Sequence, residues 1–169
     1  MMIGRGSARR LVWSLARSGL VTNRHRQELF RLMGLDNLGS TWVGPHVTMV
    51  VPEEVAAGEG CYINEGVFLD RHVTLGANVY IGPRAMLITG SHPVGGPDLR
   101  AAHGAHHPVA VGDGCWIGAG AIILPGVAVE RGCVIAAGAV VTPDCVPDGL
   151  YAGVPAQRVR ELSALGEDQ

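Results

Sequence analysis

Apolar residues recur every six positions over most of this 169-residue chain. The series runs from Val51 to Leu87 and resumes from Val111 to Val141, and four residues after each member stands a second residue that is small or β-branched. Neither an α-helix nor an ordinary strand has a period of six. A short fixed period predicts a solenoid in which six residues form a short strand and a corner, and three such units close a triangular coil of eighteen.

Both series should point into the coil, the first from the middle of each flat face and the second near a corner. Stacked coils lie about 4.8 Å apart, so we expect four to five coils in a prism roughly 20 Å tall. The first series is Val51, Ala57, Ile63, Leu69, Leu75, Ile81, Leu87, Val111, Ile117, Ile123, Val129, Ile135 and Val141, and the second is Val55, Cys61, Val67, Val73, Val79, Ala85, Ser91, Cys115, Ala121, Val127, Cys133, Ala139 and Cys145.

Composition is consistent with one folded domain. Hydrophobic residues make up 47% of the chain and charged residues 17%, which allows a buried core and argues against disorder. The net charge of −2 gives no case for a nucleic-acid partner. No run reaches the 18 or so apolar residues of a membrane span, so we expect no membrane-spanning segment in this sequence.

Each end of a solenoid leaves strand edges that need covering. Residues 1–40 predict an N-terminal helical cap with helices at about 7–18 and 24–34. Residues 41–153 predict the β-helix, and residues 154–169 predict a C-terminal capping helix and tail. That last helix should begin at Pro155 and place Val159, Leu162 and Leu165 on one face.

The four cysteines all fall in the second, inward series. Cys115 and Cys133 are eighteen residues apart and should stack on adjacent coils. A metal site or disulfides are the alternative, but no C-x-x-C spacing supports zinc. We interpret the cysteines as small hydrophobic residues, whose reduced state is typical of a cytoplasmic protein.

The period is interrupted between Leu87 and Val111, a span of 24 residues that equals one coil plus one face. Prolines and glycines in this span predict a loop at 93–108 that leaves the prism and returns in register. Flat faces offer no pocket, so a long loop in such a scaffold is a candidate functional element. The interruption holds four of the seven histidines: His92, His103, His106 and His107.

Several motifs resemble the maltose/galactoside O-acetyltransferase group of hexapeptide acyltransferases. They are YINEGVFLD (62–70), IGPRAMLITGSHP (81–93), VAVGDGCWIGAGAIILPGVAV (109–129), VIAAGAVVTPD (134–144) and AGVPAQRVRE (152–161), and together they cover about residues 60–161. The resemblance implies a left-handed parallel β-helix, a homotrimer, and acetyl-CoA bound between subunits. It also implies that His92 is the catalytic base.

The resemblance assigns further roles residue by residue. Asn64 and Asp70 correspond to acceptor-binding positions, although hydrogen bonds at a corner are the alternative for both, more so for Asp70. Two departures, Pro143 and Gln157 at positions that are often basic, imply rearranged phosphate contacts. The implied cofactor-binding residues are Trp116, Gly118, Ala119, Ala137, Thr142, Arg158 and Arg160.

The chemistry of acyl transfer agrees with a histidine base. Transfer from a thioester to a hydroxyl needs a base active near neutrality, and direct attack by the hydroxyl requires no acyl-enzyme. His103, His106 and His107 lie on a Gly/Ala-rich loop without an obvious carboxylate partner, so we predict no metal site and assign them no proton transfer. His46 and His72 are expected to be surface residues.

Three hypotheses remain at this point. The first is a trimeric acetyl-CoA-dependent O-acetyltransferase acting on a sugar or other small hydroxylated metabolite, with an N-acetyltransferase or another acyl-CoA transferase of polysaccharide or secondary metabolism as the alternative. The second is a γ-type zinc carbonic anhydrase on the same prism, and the third a non-catalytic assembly protein. Outward apolar residues favour the trimer; they are Met86, Ile88, Ile122 and Leu124.

Overall fold

The computed structural model describes residues 7–162. Two helices, α1 (Ser7–Arg17) and α2 (Asn23–Leu32), precede a series of very short strands. In chain order the strands are β1 (Trp42–Val43), β2 (Thr48–Met49), β3 (Val55–Ala57), β4 (Tyr62–Ile63), β5 (Phe68–Leu69), β6 (Val73–Leu75), β7 (Tyr80–Ile81), β8 (Met86–Leu87), β9 (Gly90–Ser91), β10 (Ala105–His106), β11 (Val109–Val111), β12 (Trp116–Ile117), β13 (Ile122–Ile123), β14 (Ala128–Val129), β15 (Val134–Ile135), β16 (Val140–Val141), β17 (Gly149–Gly153) and β18 (Ala156–Glu161).

Successive strands join three sheets in rotation, which makes a triangular prism. Face A has the order β1-β4-β7-β12-β15-β17-β18, face B the order β2-β5-β8-β13-β16, and face C the order β3-β6-β11-β14. All pairings within the three faces are parallel except β17 with β18. Face A stacks six parallel strands, more than the four to five coils expected, which makes the prism about 24 Å tall.

The predicted solenoid and its inward series are confirmed. From Ile63 onward the first series is buried, with Ile63, Leu69, Ile81, Leu87, Ile117, Ile123, Ile135 and Val141 fully so, and of the second series only Ser91 is not buried. Ser91 belongs instead to the hairpin strand β9. Alternate residues of each strand point out of the prism, so each face has an inner and an outer column.

The first coil departs from the predicted period. Trp42 pairs with Tyr62 and Thr48 with Phe68, offsets of twenty rather than eighteen. A 3-10 turn, Pro52–Glu54, takes up the two extra residues at a corner. Val51 was predicted to be inward but lies in front of this turn and is half-buried, while Val43 and Met49 fill the core positions of the first coil.

The interruption keeps the register of the prism, as its length predicts. Met86 pairs with Ile122 and Tyr80 with Trp116, both 36 residues apart, so one coil's length of chain has left the prism. Within that span β9 and β10 form a two-stranded antiparallel hairpin. A bridge between Val94 and Ala101 extends it.

The N-terminal cap is helical as predicted, and Arg26 fastens it to the prism. This side chain is 2% exposed, and its guanidinium donates to the carbonyls of Ala16, Ser18, Val21 and Val43. One cation thereby links the end of α1, the loop before α2, and β1. None of the helices within residues 7–162 is long and apolar enough to cross a membrane.

The predicted C-terminal helix is wrong over its described part. Residues Ala156–Glu161 form β18, which turns back and pairs antiparallel with β17. The last parallel strand of a solenoid has an unpaired edge, and backbone hydrogen bonds from β18 cover it. Residues 163–169, including Leu165 of the predicted helical face, lie outside the described part of the chain.

Candidate active site

The candidate site is divided between the two corners that flank face B. We call the corner residues 64–66, 82–84, 118–120 and 136–138 the A–B edge, and the corner residues 70–72, 88–90, 124–126 and 142–144 the B–C edge. In each edge, residues from successive coils are stacked by backbone hydrogen bonds. The interrupting loop starts from the B–C edge.

Asp70 holds the base of that loop. Its Oδ2 accepts hydrogen bonds from the backbone N–H groups of Thr89 (3.2 Å) and Gly90 (3.0 Å), and its Oδ1 accepts from Arg71 N (2.8 Å). Burial opposes the charged form, but these donors outweigh it and hold the pKa of Asp70 below its ordinary value. The side chain is 8% exposed, so its oxygens are largely committed to the loop.

His92 lies two residues after Gly90 and is exposed to solvent. Its Nδ1 lies 2.6 Å from the carbonyl oxygen of Ala102, on the returning strand of the loop. Because a carbonyl can only accept, Nδ1 carries the proton in the neutral ring. Nε2 then has a free lone pair, which is the form a general base needs.

Gly104 leaves room for this ring. A Cβ at position 104 would lie 3.2 Å from Cε1 of His92. That distance is shorter than an ordinary van der Waals contact, so any larger residue would press on the imidazole. The sequence motif identifies His92 but not Ala102 or Gly104, because their roles come from cross-strand pairing and not from residue type.

Asn64 lies on the other corner, the A–B edge. Its Nδ2 donates to Tyr80 Oη (3.0 Å) and its Oδ1 accepts from Glu65 N (2.8 Å). Asn64 and Asp70 were predicted to line one acceptor site, but face B separates them within a single chain. The six residues that lead from Asn64 to Asp70 span at most about 20 Å when fully extended.

Among residues 7–162, two backbone N–H groups at the A–B edge have no hydrogen-bond partner. Of the stacked residues at positions 45, 65, 83, 119 and 137, two are prolines without an N–H, and Glu65 N is satisfied by Asn64. The N–H groups of Ala119 and Ala137 have no hydrogen-bond partner within residues 7–162. A groove of about 480 Å³ along this edge is lined by Glu65, Pro83, Arg84, Ala119 and Gly120.

Gly118 is required by close stacking of the coils. A Cβ there would lie 2.5 Å from the backbone nitrogen of Ala137, which no real contact allows. Of the predicted cofactor residues, Ala119 and Ala137 are exposed at the A–B edge, and the buried Gly118 lets their two coils stack closely. Thr142 does not lie at this edge. It is exposed at the B–C edge, five residues after Ala137 and on the other side of face B.

Trp116 lies on the outer column of face A and is 54% exposed. It continues a row of aromatic rings, because Trp42 stacks on Tyr62 at 4.0 Å and Tyr62 on Tyr80 at 5.1 Å, and Tyr80 meets Trp116 edge-on at 6.5 Å. This aromatic row was not predicted from the sequence. The pattern in the sequence that marks this row is an aromatic residue immediately before the inward residue on four successive strands of face A.

The two predicted phosphate-binding arginines lie on different sides of β18. Arg160 pairs with Leu150, which is in register with Val134 and Trp116, so Arg160 shares the outer side of face A with Trp116, three strands away. A bulge separates this pair from Arg158, which is opposite the buried Tyr151. Arg158 donates to the carbonyls of Pro147 (3.2 Å) and Asp148 (3.3 Å) at the end of the prism.

The four cysteines are all free and buried. Cys61, Cys115 and Cys133 each donate from Sγ to a backbone carbonyl of the following coil. Burial raises the pKa of Cys145 to about 12 and also raises that of Cys61. Their prediction as small core residues is confirmed, and their position leaves none able to attack a substrate.

Histidines outside position 92 have separate surroundings. His72 Nδ1 is 3.3 Å from Glu54 Oε2, and its ring lies 6.4 Å from that of His106. His106 Nδ1 lies 3.4 Å from Thr89 Oγ1. Within residues 7–162 no group of three or more His, Cys, Asp or Glu side chains is arranged to hold a metal ion.

Both the sequence and the fold match known transferases. Residues 108–143 match the family model for the hexapeptide repeat of succinyl-transferase. Over 166 residues the chain is 33% identical to a Dictyostelium discoideum protein named as an acetyltransferase, covering 97% of this chain and 86% of that protein. The chain therefore belongs to the hexapeptide-repeat acetyltransferases.

Solved structures indicate the group within this family. The chain superposes on the maltose O-acetyltransferase from Clostridium difficile 630 with a TM-score of 0.79 and 25% identity, over 92% of this chain and 85% of that one. It superposes on a galactoside acetyltransferase in complex with coenzyme A with a TM-score of 0.74 and 29% identity, over 91% and 78% of the two chains. The resemblance inferred from the motifs is confirmed, and the prism is the left-handed β-helix of this family.

Proposed function

We propose that this enzyme transfers the acetyl group of acetyl-CoA to a hydroxyl of a sugar or other small metabolite, with His92 as general base. The observation that carries the proposal is the hydrogen bond from His92 Nδ1 to the Ala102 carbonyl. It orients the ring and leaves Nε2 free to accept a proton. The similarity to maltose and galactoside acetyltransferases supports a hydroxylated acceptor.

In the proposed step the acceptor oxygen attacks the thioester carbonyl carbon while His92 Nε2 takes the hydroxyl proton. The new C–O bond forms, and collapse of the tetrahedral intermediate breaks the C–S bond. The proton on His92 then passes to the departing thiolate. The products are the acetyl ester and the free thiol of CoA, and His92 returns to its neutral form.

We propose that the pantetheine arm of acetyl-CoA binds along the A–B edge. The free N–H groups of Ala119 and Ala137 match the amide carbonyls of such an arm in hydrogen-bonding character. Trp116 offers an exposed aromatic face beside it, and Arg160 a guanidinium on the same side for the phosphates. Arg158 is already bonded to two carbonyls, so its geometry favours a structural role.

A homotrimer would bring the two edges together. One chain carries the Ala119–Ala137 surface and the His92 loop on opposite sides of face B. The outer column of face B between them is nearly all apolar: Thr48, Phe68, Met86, Ile122 and Val140. If this face packs against a neighbouring copy, the A–B edge of one chain meets the B–C edge of the next, and Thr142 joins the cofactor residues from the other side.

On the acceptor side, Asn64 remains the proposed ligand, since its amide reaches the exposed hydroxyl of Tyr80. Asp70 was predicted as a second acceptor ligand. Its three backbone hydrogen bonds favour positioning of the loop that carries His92.

A thiol-release assay tests the proposal. Wild-type enzyme with acetyl-CoA should release CoA thiol in the presence of one of a panel of sugars and other polyols. Thiol release only with amino sugars would favour an N-acetyltransferase. Thiol release only with larger acyl-CoA donors would favour an enzyme that transfers a larger acyl group. No heat of CoA binding in calorimetry would support a non-catalytic protein, and stoichiometric zinc with carbon dioxide hydration would support an anhydrase.

A further inference from the structure

His106 faces the same space as His92. In the loop hairpin His106 pairs with Gly90 and Ala105 with Ser91, which puts His92 opposite Gly104. A Cβ on Gly90 would lie 3.5 Å from Cε1 of His106, and a Cβ on Gly104 would lie 3.2 Å from Cε1 of His92. Each ring therefore lies over a glycine of the other strand. Opposed residues and alternate residues of a strand share a side, so both rings stand on one side of the hairpin.

The two rings are diagonal neighbours across this hairpin. Such neighbours lie about 7–8 Å apart, and no side chain at Gly90 or Gly104 fills the space between them. Each ring makes its protein contact through Nδ1. Nδ1 of His92 is bonded to Ala102 O, and Nδ1 of His106 contacts Thr89 Oγ1 at 3.4 Å, so Nε2 of each ring is left for a ligand.

The hairpin register distinguishes His106 from the two other histidines of the loop at 93–108, His103 and His107. His107 follows on the opposite side of the strand, where its Cβ lies 3.4 Å from the Cβ site of Gly126 in the prism. His103 is exposed in the turn before β10. The H-x-x-H-H spacing treats all three alike, and only cross-strand pairing separates them.

The charged groups around His106 are already partnered. Asp70 accepts three backbone hydrogen bonds, and Glu54 is 3.3 Å from His72 Nδ1 and 3.5 Å from Arg71 Nε. The remaining titratable neighbours are His92, His107 and His72, whose ring lies 6.4 Å from that of His106. The space between the two rings therefore offers hydrogen-bonding nitrogens, which suit neutral hydroxyls, while the two carboxylates named above face donors or cations of their own.

We propose that His106 is an acceptor-binding residue. Its Nε2 bonds the hydroxyl next to the one that His92 deprotonates, and this selects acceptors with two neighbouring hydroxyls. The inference rests on the proposed acetyltransferase function. It adds a specificity-determining residue that the sequence motifs do not assign.

Steady-state kinetics with matched acceptors tests this role. The probes are methyl galactopyranoside and methyl glucopyranoside, each compared with monodeoxy analogues that lack a hydroxyl adjacent to the acetylated one. For the intact sugar, His106→Ala should raise the acceptor KM at least tenfold, change kcat less than threefold and leave the KM for acetyl-CoA unchanged. For the deoxy analogue, wild type and variant should differ less than threefold, because the bonded hydroxyl is gone.

Two further variants and a spectroscopic readout complete the test. His106→Gln should recover part of the affinity for the intact sugar, since it keeps a hydrogen-bonding group, and the exposed His103→Ala should behave as wild type. The ring resonances of His106 should shift when the methyl glycoside is added to the CoA-bound enzyme. A His106→Ala enzyme with wild-type acceptor KM would overturn the inference alone. Absence of thiol release by the wild type with every acceptor would overturn the proposed function, and the inference with it.

Discussion

At the residue scale, the B–C edge joins the proposed base, His92, and the carboxylate that holds its loop, Asp70. His92 is exposed and bonded through Nδ1 to a backbone carbonyl, whereas Asp70 is buried and bonded to three backbone N–H groups. The exposed ring leaves Nε2 available, and the three N–H donors favour the charged form of the carboxylate. The two residues therefore respond differently to substitution.

His92→Ala should lower kcat by about 10²–10⁴, the usual effect of removing a positioned base. Acetyl-CoA affinity should change little, because the A–B edge of the prism is untouched. Thiol-release kinetics and calorimetric titration with CoA measure the two quantities. If His92→Ala turns over near the wild-type rate, another group takes the proton.

Asp70→Asn should destabilise the fold by roughly 1–3 kcal/mol at pH 7, because an amide nitrogen cannot accept from the loop N–H groups. The folded-state pKa of Asp70 is lowered, so its contribution is present above the unfolded pKa and is lost as pH falls through the folded value. The difference in unfolding free energy between wild type and variant should therefore be full at pH 7 and shrink in strong acid. Asp98→Asn, at the exposed loop tip, is the control for denaturation at both pH values.

At the element scale, the corners of the prism carry the proposed binding surface, and the strands hold the corners in place. Positions 45, 83, 119 and 137 stack on the A–B edge, and two of them are proline. Pro45, Pro83 and Ala119 each follow a glycine. The corner geometry therefore accepts proline at position 119 without an altered backbone.

Ala119→Pro should weaken acetyl-CoA binding by about 2- to 12-fold, the equivalent of one net hydrogen bond of 0.5–1.5 kcal/mol. The substitution removes the free N–H and leaves the fold intact. Calorimetry with CoA gives the affinity, and thermal denaturation checks stability. Ala119→Ser retains the N–H and should bind as wild type; equal affinity in all three proteins would show that this N–H contacts no cofactor.

The helical cap depends on one buried cation. Arg26→Leu would leave the carbonyls of Ala16, Ser18, Val21 and Val43 without their donor, which should destabilise the cap by about 3 kcal/mol or more. Limited proteolysis should then cut within α1 or α2 before the prism is attacked. Arg24→Leu, whose side chain is exposed and paired only with Glu28, should be cut no faster than wild type.

At the scale of the whole molecule, we propose that a second copy of the chain joins the two half-sites. Face B separates them, and its outer column is apolar except for Thr48, whereas the outer column of face C is small or polar, with Ala56, Thr74, Ala110 and Ala128. An apolar column between two incomplete half-sites is typical of an interface that completes them.

Light scattering should give a trimer of about 53 kDa, three times the chain mass of 17.7 kDa. Ile122→Glu puts a charge in the middle of face B and should shift the protein toward monomer, with loss of activity. Ala110→Glu places the same charge on exposed face C and should leave both mass and activity unchanged. A stable wild-type monomer near 18 kDa would contradict the trimer.

Much of this architecture was predictable because it follows from a local rule. Each six-residue unit uses the same inward positions, so the columns from Ile63 onward, the interrupting loop and the histidine that opens it could be read directly from residue type and spacing. The family motifs then identified His92 and the residues of the A–B edge.

Other features were decided only by the tertiary structure. These features depend on which backbone segments pair across distant parts of the chain. They are the strand at Ala156–Glu161, the hydrogen bond from His92 to Ala102, the position of His106 over Gly90 and the division of the proposed site between two edges. Backbone N–H and C=O groups are the same in every residue, so side-chain periodicity carries no record of those pairings. The sequence alone therefore determined the coil and its candidate residues, and the folded backbone determined which of those residues meet.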